Sequence, residues 1–322
     1  MRKYITKRVF GGLLTVVLVL IFNFVLMRLA PGDPLSTLMG PEMDDPMVRA
    51  ELMARYGLDQ PIPIQLLTFI TNNLIRGDMG TSITFNRPVT SMIGERLAAT
   101  LLLGLTGLIL GALLGTALGV ACARRRGKFL DNIASPIMYI FNSLPSFWLP
   151  LMLIILFATH LGWFPTSGMF SVRAAHTGLS YVLDVARHMV LPVVTLIIIT
   201  MPMYFRIAKT SVLQVTNEDF VTTFRATGMG EKRIFRKYIF RNAILPTVTI
   251  FGISMAYLIT GVAIIETIFA WPGMGQLVLT AIMQRDYPTI LGIYIVLSLS
   301  VAIFMVIVDM LYALLDPRIR LA

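Results

Sequence analysis

Residues 216–246 read TNEDFVTTFRATGMGEKRIFRKYIFRNAILP, the longest polar interruption in a second half otherwise built of apolar runs. Asn217 is a suitable helix N-cap, because its side-chain oxygen can accept from an unpaired backbone N–H, and Glu218 and Asp219 sit where a helix dipole favours negative charge. Gly228 suits the left-handed position that ends a helix. Between these marks Phe220, Val221 and Phe224 fall at i, i+1 and i+4, so one side of a short helix is apolar while Thr222, Thr223 and Arg225 lie elsewhere. A second helix is predicted to follow, with Ile234, Phe235, Tyr238 and Ile239 on one face and Lys232, Arg233, Arg236, Lys237 and Arg241 on the other. The pattern is interfacial: an apolar side rests on membrane or protein and a basic side stays in water. Composition alone fits two readings equally, a solvated basic loop or an amphipathic helix held out for a partner groove.

The surrounding chain decides the fold class. Of 322 residues 56% are hydrophobic and 14% charged, which places the protein in a membrane. Crossing about 30 Å of hydrocarbon takes about 20 apolar residues in a helix, since every backbone group must be bonded within the segment. Six such runs are predicted, near Val9 to Met27, Leu97 to Ala123, Ile133 to His160, Met189 to Ile207, Leu245 to Phe269 and Thr289 to Leu315. The expectation is an all-α polytopic membrane protein with six transmembrane helices. Residues 1–30 form the N-terminal end and first span, 31–96 an extracytoplasmic subdomain, 97–315 the transmembrane core and 316–322 the tail. The core includes a polar loop at 209–245.

A net charge of +10 would suggest nucleic acid in a soluble protein, so its placement matters more than its size. With the ends and alternate loops inside, 18 Arg and Lys fall on the inner side and 8 on the outer, Arg28 being left at a boundary. The positive-inside rule then puts both termini in the cytoplasm. No basic stripe interleaved with aromatics calls for a nucleic-acid partner. The first apolar run exceeds a signal-peptide core, and Pro31 follows the one small residue, Ala30, so a retained anchor is expected. Cys122 is the only cysteine, which excludes an intrachain disulfide.

Arg2, Lys3, Lys7 and Arg8 anchor the first span, and Pro31, Gly32, Asp33 and Pro34 stop it. The outer segment has helix punctuation of its own at Asp45–Pro46 and at Gly57. Gly107, Gly111, Gly115 and Gly119 recur every four residues in the second span, which suits close helix approach, by static packing in preference to a sliding surface. Asn142, Ser143, Pro145 and Ser146 suggest a bent third span whose polar groups line a pathway. Pro192 and Pro202 mark the fourth span for bending. Ser254, Tyr257 and Thr260 are three residues apart and share one face of the fifth, as candidates for a polar conduit or as hydroxyls bonded back to the backbone. Trp271 suits a membrane interface, and Pro272 and Gly273 with Gly275 suit a turn. His160, His176 and His188 lie 16 and 12 residues apart, so no metal site is expected.

Several of these stretches resemble the dipeptide and oligopeptide branch of ATP-binding cassette importer permeases. Arg225, Ala226 and Gly228 with Arg241, Asn242, Ala243 and Pro246 match the branch's coupling-loop wording, and GLDQPIPIQ (57–65) and RGDMGTS (76–82) resemble its outer segment. Glu266, Phe269, Pro272, Gly273 and Gly275 match its E-x-x-F-x-x-P-G-x-G pattern after the fifth span. The wider family's E-A-A triplet would fall on Thr222, Thr223 and Phe224, so no contact of that acid carries over. The resemblance implies a non-catalytic permease subunit in a bacterial cytoplasmic (inner) membrane. Its partners would be a second homologous permease chain, two ATP-binding subunits and an extracytoplasmic binding protein, besides membrane lipid. Residues 218–228, among them Glu218, Asp219, Phe220, Val221, Phe224, Arg225, Ala226 and Gly228, would then be a cytoplasmic coupling helix whose apolar face docks on the ATPase. Dipeptides or oligopeptides are the implied cargo, with nickel chelates or glutathione as alternatives within the branch.

Gly127–Lys128 is not a nucleotide loop, since Cys122 stands where the first glycine is needed and Phe129 where a Ser or Thr would hold magnesium. ATP and magnesium are therefore expected on a partner chain. Acids in apolar sequence are few, with Asp309 and Glu266 near span ends. A proton-coupled secondary transporter, which would carry ionisable groups at mid-membrane depth, is the rival from another class.

Overall fold

The computed structural model of the chain describes residues 2–29, 46, 47, 50, 53, 59–171 and 177–315. Punctuation at Asp45 and Gly57, His176, the tail 316–322 and the side chain of Asp309 lie outside the described residues. Among the described residues the regular elements are helices, with one isolated antiparallel bridge between Thr81 and Pro88. In chain order they are α1 (Arg2–Leu29), α2 (Ile62–Ile70, with a wider-wound end at Thr71–Arg76), α3 (Val89–Arg124), α4 (Phe129–Ser143), α5 (Trp148–Leu153, continued through Ile154–His160), α6 (Gly178–Thr216), α7 (Asp219–Ala226), α8 (Glu231–Ala256), α9 (Leu258–Gly261), α10 (Ala263–Ile268), α11 (Met274–Met283) and α12 (Tyr287–Leu315).

Four of these helices, α3, α6, α8 and α12, are long and apolar enough to cross a membrane among the described residues, and α4 with α5 makes a fifth if the bent pair is one span. In α1 the described apolar stretch is Phe10–Val25. The bend between α4 and α5 is 105°, at the predicted place. Its cause is local: a residue before proline is pushed out of the helical region, and Leu144, just before Pro145, is extended at φ −73 and ψ 133. Pro192 and Pro202, by contrast, sit inside an α6 that runs unbroken for 39 residues. The fifth apolar run also needs correction. α8 starts at Glu231, so the expected second helix of the polar stretch and the start of the span are one continuous helix. It accommodates Pro246 after Ile244 relaxes to φ −78 and ψ −21, and it ends at Ala256. Breaks at Tyr257 and Val262 then divide the rest of that run into α9 and α10.

The chain forms two compact units. The first comprises Met1–Ala99 and Gly273–Val306. Its core gathers Val16 and Leu20 of α1 with Ile295 of α12, flanked by Phe69 of α2, Met79 and Ala302. The second comprises Thr100–Pro272 and Ile307–Ala322, and α6 is its axis. Along α3 the glycine stripe is filled by α6. A Cβ at Gly107 would lie 2.5 Å from Cβ of Leu196, at Gly111 2.0 Å from Oγ1 of Thr200, at Gly115 2.5 Å from the carbonyl oxygen of Met201, and at Gly119 2.4 Å from that of Phe205. On the other side, Asp131 of α4 pairs with Lys209 of α6, and Ser135 donates to the carboxylate at 2.8 Å while accepting from Lys209 at 2.9 Å.

Gly115→Ala therefore sets two effects against each other. Alanine is the better helix former by about 1 kcal/mol, but a Cβ against fixed backbone costs about 1–3 kcal/mol. Because no rotamer can move a Cβ, we expect a net loss, seen as a lower melting temperature of the purified chain. Gly94→Ala, with nothing within 4 Å of the new Cβ, should match or exceed wild type. Equal melting of the two variants would contradict the seam.

Candidate functional site: the loop between α6 and α8

The loop begins one residue later than its sequence suggests. α6 runs on to Thr216, and Asn217 closes it at φ −94 and ψ 1, donating its N–H to Gln214. Glu218 therefore takes the position before α7, extended at φ −71 and ψ 147, with no side-chain cap. Asn217 is not the N-cap, because its backbone is already spent on the end of α6. At the other end Gly228 has φ +76, and the N–H groups of Thr227, Gly228 and Met229 bond back to Thr223, Arg225 and Phe224. The chain then turns through Gly230 into α8. A bidentate pair holds that turn, with Arg225 Nε and Nη2 on the two carboxylate oxygens of Glu231 at 2.6 and 3.3 Å. Both groups are largely exposed, so the pair sets an angle between α7 and α8 more than it adds stability. The Glu231 hydrogen bond raises the pKa of Arg225 above its ordinary value.

The apolar face of α7 is turned inward, and Val221, which the docking expectation sets against a partner, is covered by the chain itself. Val221 is fully buried in a cluster with Ala123, Val212, Ile234, Ile239 and Ala243. Phe220 and Phe224 pack against that cluster half-buried, with the Phe224 ring 4.3 Å from Tyr238. A two-turn helix cannot bury an apolar face by itself, and the ends of α6 and α8 supply the partner surface. Glu218, Asp219, Thr222, Thr223, Arg225 and Ala226 remain exposed, and they make the face that a partner could reach. Beside it, the guanidinium of Arg124 stacks 4.4 Å from the Phe235 ring, and Lys232, Arg233, Arg236 and Lys237 border a shallow open basin.

The pathway candidates divide. Asn142, Ser143 and Ser146 are exposed near the α4–α5 bend, although the Ser143 hydroxyl donates to the Tyr139 carbonyl at 2.9 Å. Ser254, Tyr257 and Thr260 do not share one helix face, because the helix breaks at Tyr257. Ser254 accepts from the buried Tyr204 hydroxyl at 2.9 Å, whereas exposed Thr260 donates to the Tyr257 carbonyl at 3.0 Å.

The residues that follow the fifth apolar run are largely buried. Trp271 is fully buried within the chain, and its backbone N–H closes a turn on the Glu266 carbonyl at 2.8 Å. The left-handed residue of that turn is Ala270, at φ +48. Pro272 is half-buried, Gly273 is extended as the cap of α11, and Gly275 lies buried inside α11, so the two glycines do not make the turn. The Glu266 carboxylate is fully buried and accepts from the Thr100 hydroxyl at 2.6 Å.

Two polar clusters escaped the sequence reading. Besides Asp131 with Lys209, Asp286 is fully buried and accepts from the hydroxyls of Ser82 and Thr289 and the N–H of Ile83, the last at 3.2 Å. Asp286 followed by Pro288 in the first turn of α12 is a readable cap signature. Its partner 204 positions away is not readable locally. Among the described residues no group of three His, Cys, Asp or Glu could hold a metal.

Helices of membrane-crossing length packed along a glycine seam define a polytopic helical membrane protein with a short helix on a basic loop. Residues 115–321 match the family of binding-protein-dependent transport system inner membrane components, and residues 1–104 match its N-terminal segment. The chain belongs to this family. It is 35% identical over 321 residues to the oligopeptide transport system permease protein AppB of Bacillus subtilis (strain 168), covering 99% of this chain and 100% of that protein. It is likewise 35% identical to the di/tripeptide transport system permease protein DppB of Pseudomonas aeruginosa (strain UCBPP-PA14), over 94% of each. Identity to the glutathione transport system permease protein GsiC of Salmonella typhi is 34%, over 99% of each. A solved chain of the MetNI methionine ABC transporter, facing inward, shares the fold at a TM-score of 0.54 and 19% identity, over 70% of this chain and 97% of that one.

Burying a valine side chain contributes about 2 kcal/mol, and an uncompensated carboxylate in its place costs more. Val221→Asp should therefore unseat α7, so that trypsin cuts at Arg225 and Arg233 faster in membranes containing the folded chain. Thr222→Asp, on the exposed face, should leave cleavage unchanged. Gly228→Val should cost about 1–2 kcal/mol through its left-handed backbone, and Gly228→Asn distinctly less.

Proposed function

We propose that the chain is the permease subunit of an ATP-driven peptide importer, forming half of the translocation pathway for dipeptides or oligopeptides delivered by an extracytoplasmic binding protein. The observation that carries this is full-length similarity at about a third identity to permeases named for oligopeptides, di/tripeptides and glutathione. Glutathione is itself a small peptide. Nickel chelates stay the alternative cargo within the branch.

In this reading the chain spans a bacterial cytoplasmic membrane six times, α1 and the bent α4–α5 pair each counting as one span. Both termini and the α6–α8 loop face the cytoplasm, and residues 31–96 form an extracytoplasmic subdomain. A second homologous permease chain completes the pathway, and two ATP-binding subunits supply ATP and magnesium. Support for a separate motor comes from Gly127, whose N–H donates to the Asp131 carboxylate at 3.0 Å and so is not presented to a phosphate. The exposed side of α7, through Asp219, Thr222, Thr223 and Ala226, is the surface offered to the ATPase, while Val221 seats the helix from beneath.

The proton-coupled rival requires acids that open to a water path. The buried acids of the described residues are instead engaged: Asp131 by Lys209, Glu266 by Thr100, and Asp286 by Ser82 and Thr289.

Uptake of a radiolabelled tripeptide by cells carrying the full complex should survive a protonophore while ATP is maintained, and should stop when ATP is depleted. The reverse pattern would establish the rival. For topology, Ser82 is buried and unsuitable for labelling, so Thr84→Cys and Thr227→Cys in a Cys122→Ala background are the better pair. A membrane-impermeant maleimide should label the first from outside intact cells and the second only after lysis. Labelling of both from outside would end the six-span arrangement.

A further inference from the structure

We infer that a groove between α4 and α6 is an anion subsite that takes the C-terminal carboxylate of the peptide in transit, with Arg206 as the recognising group; the assignment rests on the peptide-import reading. The groove encloses about 130 Å³, room for a carboxylate and the residue that carries it. Arg206, Asn142, Tyr139 and Thr210 line it over an apolar floor that includes Phe205 and Met138.

Charge bookkeeping singles out Arg206. Its neighbour Lys209, also on the groove wall, is neutralised by Asp131 and held further by Ser135. Arg206 is exposed and, among the described residues, has no hydrogen-bond or ion-pair partner. It lies where the apolar run of α6 gives way to polar sequence, and a cation so placed is costly unless water or a ligand meets it. The guanidinium fork matches a carboxylate bidentately, better than an ammonium would. Asn142, Thr210 and Tyr139 add an amide and two hydroxyls around the same space, and none of those three side-chain groups has a partner among the described residues. Every free peptide carries one terminal carboxylate whatever its side chains, so a single guanidinium recognises the class without selecting a sequence. The 105° bend at Pro145 leaves Asn142 exposed at the end of α4, which keeps the groove open on that side.

The test uses the purified complex of permease, ATPase and binding protein, with Thr210→Cys as reporter in a Cys122→Ala background. Anionic sulfonatoethyl and cationic trimethylammonioethyl methanethiosulfonate are compared. With Arg206 present the anionic reagent should react faster, on the order of tenfold, and Arg206→Gln should abolish that preference while Arg206→Lys keeps most of it. Millimolar trialanine should slow the reaction, and trialanine amide should not. Equal rates for the two reagents, equal protection by both peptides, or protection by added phosphatidylglycerol in place of trialanine would each overturn the subsite. Trialanine uptake by the complex with an unsubstituted permease chain, reconstituted in liposomes, separates the two claims: uptake there without protection of the reporter removes the subsite alone, whereas absence of uptake removes the peptide reading beneath it.

Discussion

The glycine stripe of α3 lets the backbone of α6 approach until two of its carbonyl oxygens, those of Met201 and Phe205, occupy the space that side chains on α3 would fill. In a bilayer, where lipid tails are as apolar as leucine, such close backbone contact is what holds two helices together. Much of the second unit hangs on the placement of α6. Its Tyr204 bonds Ser254 of α8, its Lys209 anchors Asp131 of α4, and its last turns contribute Val212 to the cluster under α7. A loosened seam would disturb the displayed helix without touching the loop that carries it.

Features written in local chemistry were legible in the sequence. The four-residue glycine repeat, the bend before Pro145 and the left-handed Gly228 each follow from one residue's backbone limits, and each stands where it was expected. Features decided by what lies opposite were not. Periodicity identified Phe220, Val221 and Phe224 as one apolar face, but it could not say whether the chain itself or another protein covers it. The helix at the start of α8, with Ile234 and Ile239 on its apolar face, is legible from its periodicity, and both side chains are buried against Val221; its continuity with the span that follows, across Pro246, is not legible. Residue type points Trp271 toward a membrane interface, but it does not show that the chain itself encloses the ring.

Burying a carboxylate is costly unless donors replace its water, and the three acids buried among the described residues each have them. Asp286 receives two hydroxyls and a backbone N–H, Glu266 a hydroxyl at 2.6 Å, and Asp131 an ammonium. Acids bonded in this way act as anchors. Asp286 fixes the 82–85 turn to the head of α12, an attachment that short-range sequence patterns cannot encode because its halves are 204 residues apart. An anchor gains by keeping its donors, whereas a proton carrier must be relieved of its partners in each cycle. The polar chemistry of the interior is thus spent on position, which suits a subunit whose energy arrives from another chain.

The inward face of α7 also changes how a push on that helix would travel. A helix held only by its own loop would yield to a partner by swinging about Gly228 and Gly230, and little would reach the spans. With Val221 fully buried among residues of α3, α6 and α8, that swing is opposed by packing, while the exposed Arg225–Glu231 pair only sets the angle at the start of α8. In the proposed docking, a push on Thr222 and Thr223 would reach α6 and α8 through these contacts, because close-packed side chains shift together sooner than they compress. α8 is the more exposed of the two to such a displacement. It is continuous from Glu231 to Ala256 and breaks at Tyr257 and Val262, so motion entering at one end has a joint at which to be released.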